Sequence, residues 1–268
     1  MKTKGIGVFR DTKSNATVAY VIFCVVFVMV FALMFKDAMF LVFGFPIVLL
    51  FALGSSFDGG TTEQDLETVG WSSGNMKNAV PIGIVGGLSG LMIGGLITNF
   101  VPGQMASLVP DLAGTSSILT ASVIPASLSI SANIFSQFMV IAPSEEALSR
   151  VLIPYASYKA FKNWIIAFVV IAPAIWIGSH IPTFIAQGAP QSMYLVLFVL
   201  AMITTAGFLL TKTILTAIIS HGVFNSGVII INGGIDITAY FIVFLIIAVL
   251  AYAWFKGDAK PLKLSIGR

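Results

Sequence analysis

Long apolar runs separated by short polar breaks dominate this chain. The first run, Ala16–Phe35, follows a polar, basic segment, residues 1–15, that carries Lys2, Lys4, Arg10 and Lys13. It is about the length of a bilayer span, exceeds a signal-peptide core and lacks a small-residue cleavage site, so it reads as a retained anchor. Lys36-Asp37 turns the chain into Ala38–Leu53, where Pro46 is expected to cause a kink. Gly54–Asn78 reads as a polar loop, Ala79–Val101 as a span and Pro102–Gly114 as a loop. Thr115–Ala142 is apolar and serine-rich, is interrupted by Pro125, and reads as a full or a broken span. Pro143 is expected to separate it from a helix that starts at Glu145-Glu146 and ends near Phe161. Asn163–Ile181, Ser192–Leu210, Thr213–Ile231 and Ile237–Phe255 are further spans, with loops expected at Pro182–Gln191 and Asn232–Asp236.

This pattern predicts an all-α polytopic membrane protein with about eight transmembrane helices in one bundle. A single membrane-embedded domain, 16–255, lies between the cytoplasmic N-terminal segment and a basic tail, 256–268. With both termini cytoplasmic, the cytoplasmic segments hold nearly all the lysines and arginines, as the positive-inside rule requires. Lys36 falls outside and Arg150 falls in the core. The cell membrane is the expected location. In Ala79–Val101, Gly83/Gly87 and Gly90/Gly94 are spaced four apart, which lets helices approach closely. A phosphate loop is the sharper reading of those glycines, but no Gly-Lys-Ser/Thr follows and no strand precedes.

Composition supports the membrane reading. The chain is 57% hydrophobic and only 9% charged, against about 25% charged in soluble domains. The net charge of +3 is small, and no basic run with interleaved aromatics suggests a nucleic-acid partner. The partner this composition implies is membrane lipid. The single cysteine, Cys24, lies in the first apolar run and cannot form an intrachain disulfide.

Against this apolar background a few polar residues stand out. Glu145, Glu146 and Arg150 lie together, and the chain's two histidines, His180 and His221, also occupy apolar sequence. A charge near the bilayer centre costs about 2.5–3.5 kcal/mol on insertion scales. Taken singly, each has an ordinary reading. The glutamates can serve a helix N-terminus, Glu146 and Arg150 can pair one turn apart, and His221 with Asn225 can glue two helices. Together they form three ordered motifs: Glu145-Glu146-Ala-Leu-Ser-Arg150, Trp176-Ile-Gly-Ser-His180 and His221-Gly-Val-Phe-Asn225. Helices running from Glu145 to the turn near Lys159–Asn163 and back would return His180 to the depth of Glu145, since each arm rises about 25 Å.

The three motifs resemble those of the CPBP family of intramembrane glutamate proteases, the CAAX proteases (type II CAAX prenyl endopeptidase-like) and bacteriocin-processing enzymes. The pattern there is Glu-Glu-x-x-x-Arg, Phe-x-x-x-His and His-x-x-x-Asn. This chain departs from it with Trp176 in place of Phe, and with Ser149 and Val151 where an aromatic and a glycine are common. The likeness covers about Pro143 to Gly227. It implies that Glu145 activates a water, that His180 holds or shares it, and that His221 and Asn225 receive the oxyanion. Glu146 with Arg150 would be a structural pair, and Trp176 would keep a packing role. The resemblance implies a peptide or lipidated-peptide substrate as partner and no cofactor. Zinc is the alternative, since two glutamates and two histidines are available, although there is no His-Glu-x-x-His. A non-enzymatic transporter or scaffold with a polar intramembrane site is the third reading.

Overall fold

A computed structural model of the chain describes residues 76–98, 131, 134–135, 137–232 and 236–256. The expected spans Ala16–Phe35 and Ala38–Leu53, nearly all of the loop Gly54–Asn78, and most of Thr115–Ala142 lie outside them. The described residues are helical, with short connections and no strand. Helix α1 is Met76–Thr98. Helix α2, residues 137–161, runs through Gln137–Ile141, Ala142–Glu146, Ala147–Leu152 and Ile153–Phe161 in alternating π and α geometry. Helix α3, residues 164–187, joins a π segment, Ile166–Ile171, to Ala172–Gln187. Then follow α4, Ser192–Thr211; α5, Ile214–Asn232; and α6, Ile237–Lys256.

Four of these helices, α1, α4, α5 and α6, are long and apolar enough to cross a membrane. A shorter apolar stretch, Ile166–Ile181, lies in α3. Where they are described, the expected spans agree with these helices to within about three residues. Two expected boundaries are corrected. Pro143 does not start a new helix; α2 passes through it, with a π segment on the preceding side. Widened π turns absorb a proline's missing N–H without ending the helix. Likewise, the loop expected at Pro182–Gln191 shrinks to residues 188–191, because α3 continues to Gln187.

The turns have local causes. Between α2 and α3, Lys162 takes a left-handed conformation, φ 54°, and Asn163 Oδ1 accepts the N–H groups of Ile165 and Ile166 at 3.0 and 3.3 Å. Gly188, φ 63°, closes α3, and Lys212, φ 55°, closes α4. Asp236 Oδ1 accepts the Thr238 N–H at 2.8 Å and so caps α6. That bond holds the exposed Asp236 carboxyl below its usual range.

Helix α1 packs on α4, α5 and α6, and α2 lies against α5. In its apolar window α5 is 78% buried and α6 only 11%. Thus α5 is the core helix, while α6 turns Ile242, Leu245, Val249 and Leu250 outward. The main apolar cluster joins Leu88 and Leu91 of α1 to Trp176, Leu200, Val223 and Phe224. A second gathers Ala147, Val151, Phe168, Phe208 and Ile218, with Phe168 stacked on Phe208 at 5.9 Å.

The expected glycine contact is present between α1 and α5. A Cβ on Gly87 would lie 2.5 Å from the Ser220 carbonyl oxygen and 2.6 Å from Val223 Cβ. On Gly90 the nearest atom would be 3.4 Å away, an ordinary contact. Gly87→Ala should therefore destabilise the fold by about 1–3 kcal/mol, and Gly90→Ala should cost far less. Thermal unfolding of both variants in detergent checks this difference.

Candidate active site

The hairpin of α2 and α3, together with α4 and α5, brings the isolated polar residues of the sequence into one buried cluster. Helix α2 supplies Glu145, Glu146 and Arg150. The π segment follows the glutamates directly, and the Ile153 N–H reaches the Leu148 carbonyl five residues back. Ser149 Oγ donates to the Glu145 carbonyl at 2.6 Å, which ties that turn together. Such π turns occur often at functional sites.

Glu146 and Arg150 are both completely buried. Glu146 Oε2 lies 3.1 Å from Arg150 Nε. Its other oxygen, Oε1, accepts from His221 Nδ1 at 2.8 Å. Arg150 Nε also donates to Thr204 Oγ1 of α4 at 3.1 Å, and Nη2 donates to the same hydroxyl. Nη1 donates to the Ser149 carbonyl at 3.2 Å. The expected Glu146–Arg150 pair is thus present, and it reaches further than expected, because it fixes an imidazole on α5.

Glu145 occupies the centre of the cluster. Its Oε2 accepts the Trp176 indole N–H at 2.8 Å. The same oxygen lies 3.8 Å from His180 Nε2 and 3.9 Å from His221 Nε2. The hairpin expected from the sequence therefore does bring His180 to Glu145. His180 sits two turns before the end of α3, not at the end of a span. Both rings are held through their other nitrogens. His180 Nδ1 lies 2.8 Å from the Trp176 carbonyl, which can only accept, so Nδ1 carries the hydrogen. His221 Nδ1 faces the Glu146 carboxylate and is a donor by the same reasoning. Both Nε2 atoms consequently face Glu145. Glu145 and His221 are buried, and His180 is half-buried at the accessible edge of the cluster.

Asn225 lies one turn beyond His221 and is buried. Its Nδ2 donates to Gln137 Oε1 of α2 at 2.7 Å. One amide hydrogen is therefore occupied, and the second has no partner among the described residues. Trp176 does more than pack: its N–H is a polar partner of Glu145, and its ring meets His180 and His221 edge-on at 5.0 and 5.7 Å. The sequence reading missed Thr204 and Gln137. Their only signal was a polar residue within an apolar helix, a feature they share with Thr205, Thr211 and Ser226.

No group of three or more His, Cys, Asp or Glu residues among the described residues is arranged to hold a metal ion. The N···O separations of 3.8 and 3.9 Å exceed the roughly 3.3 Å edge set by a tetrahedral zinc ion with bonds of about 2.0–2.1 Å.

Because Arg150 is fully buried, removing its counter-ion leaves a cation in apolar surroundings. Glu146→Gln should lower stability by about 3–5 kcal/mol, whereas His180→Ala, at the accessible edge, should melt close to the parent. Thermal unfolding in detergent compares the two.

No curated protein and no solved structure matches the chain. Residues 127–227, the stretch that carries every residue of this cluster, match the model of one family of membrane proteases, the type II CAAX prenyl endopeptidase Rce1-like family.

Proposed function

We propose that the chain is an intramembrane endopeptidase that hydrolyses a peptide bond of a membrane-associated, prenylated peptide, using a water activated by Glu145. The observation that carries this reading is the convergence of Glu145 Oε2 with the Nε2 atoms of His180 and His221 at 3.8 and 3.9 Å. Those gaps are too long for a direct hydrogen bond. A water oxygen about 2.8 Å from both Oε2 and Nε2 spans such a gap at an angle of about 85°, which a hydrogen-bonded water accepts.

In this reading Glu145 takes a proton from that water as it attacks the scissile carbonyl, and His180 Nε2 holds the water in line. The carbonyl oxygen becomes an oxyanion and needs donors. Asn225 has one amide hydrogen to give. His221, with Nδ1–H on Glu146, donates through Nε2 when that atom is protonated, and Glu146 then serves as the counter-ion. Glu145 finally returns its proton to the leaving amine. The prenylated substrate class follows from the name of the matching family, and the four membrane-length helices suit a lipid-borne substrate.

The backing of both Nδ1 atoms by acceptors is also the outer-shell pattern of metal-bound histidines, so a zinc protease is the second reading. The ligand spacing favours water.

Three outcomes are expected in a cleavage assay with a farnesylated CaaX peptide in liposomes. Glu145→Gln should lower the rate by about 10²–10⁴-fold, the range for a general base. Asn225→Ala should lower it by about 10²–10³-fold, as for one oxyanion donor. Prolonged chelation with EDTA should leave the rate unchanged; loss restored by stoichiometric zinc would establish the second reading.

A further inference from the structure

Trp176 stands at the hub of the cluster. Its indole N–H donates to Glu145 Oε2 at 2.8 Å. Its ring meets both imidazoles edge-on, and the Arg150 guanidinium carbon lies 5.9 Å from its centroid. The residue is buried and belongs to the main apolar cluster. Filling space requires only an aromatic ring, whereas holding a carboxylate requires the N–H.

We infer that Trp176 is a positioning residue that keeps the Glu145 carboxylate apart from the two histidines and so preserves the space for the reacting water. This rests on the reading of Glu145 as the base. A carboxylate beside two imidazoles tends to close on one of them, because a charge-assisted N–H···O bond is about 2.7–2.9 Å long. Here the separations are about 1 Å greater, 3.8 and 3.9 Å. The indole N–H ties Oε2 to a third point on α3, while the histidines are held from behind by Glu146 and by the Trp176 carbonyl. With the tether gone, Oε2 is free to swing onto His180 or His221, and the water loses its place. Phe at this position keeps an aromatic ring, smaller than the indole, and supplies no donor. β-(3-Benzothienyl)alanine keeps the full bicyclic shape and supplies none either, so the two replacements together separate packing from tethering.

The test is Trp176→Phe in the full chain, assayed on the same farnesylated CaaX peptide beside Glu145→Gln and Glu145→Asp. Hydrogen bonds to charged groups set the scale. Trp176→Phe should lower kcat about ten- to hundredfold, with KM within about twofold and some loss of thermal stability from the smaller ring. β-(3-Benzothienyl)alanine at 176 should give the same fall in kcat with thermal unfolding close to the parent. In the Glu145→Asp background, where the shorter side chain no longer reaches the indole, adding Trp176→Phe should cost less than about threefold. If Trp176→Phe does not fold, that analogue, which replaces the N–H with sulfur in the same shape, carries the test. Parent-like kcat in a folded variant, a loss confined to KM, or an equal loss in both backgrounds would overturn the tether. Activity retained by Glu145→Gln would instead overturn the reading of Glu145 as the base, so the two failures are distinguishable.

Discussion

A buried carboxylate that serves two partners supports the whole site. Glu146 neutralises Arg150 through one oxygen and holds His221 through the other. Neither Glu146 nor Arg150 has any solvent exposure, so the surrounding protein must supply what water would otherwise provide. Thr204 gives Arg150 a hydroxyl from α4, and the Ser149 carbonyl takes a further guanidinium N–H. Isolated buried ion pairs seldom gain much stability once desolvation is counted. This one instead joins three helices, α2, α4 and α5, in one register. The orientation of the His221 imidazole is thereby tied to the packing of the bundle.

The two adjacent glutamates do different work because their surroundings differ. Glu146 is committed on both oxygens to charged or polar side chains. Glu145, one residue along, has Oε2 turned toward a half-buried histidine at the edge of the cluster. Adjacent positions on a helix point about 100° apart. One carboxylate therefore faces the interior of the bundle, and its neighbour faces the edge where His180 is partly exposed. A pair that looks redundant in sequence is divided by geometry into a member that holds Arg150 and His221 and one that faces Trp176 and both Nε2 atoms.

Much of this was legible in the sequence. Runs of about 20 apolar residues located α1, α4, α5 and α6, because bilayer thickness leaves few alternatives. The ordered motifs collected Glu145, His180 and His221, since charges and imidazoles are too costly in such runs to be scattered at random. Legibility failed where one residue type has several uses. Pro143 and Pro182 read as helix breaks, but α2 and α3 run through them, with π geometry just before Pro143. Trp176 read as packing because a ring is apolar in any tally, although its N–H faces a carboxylate. Thr204 and Gln137 meet partners 54 and 88 residues away in sequence. Hydroxyls and amides also occur in membrane helices simply as bonds to their own backbone, as Thr204 itself shows with the Leu200 carbonyl.

The π segment Ala147–Leu152 has a consequence for how such chains are compared. A π turn is an α turn containing one surplus residue, so everything beyond Leu152 is rotated by about 100° relative to an uninterrupted helix. A homologue lacking that surplus residue would carry the same glutamates and the same arginine yet show a different face of the Ile153–Phe161 arm to α3. Alignments that treat the helix as gapless would then pair lipid-facing positions with interior ones across the entire arm.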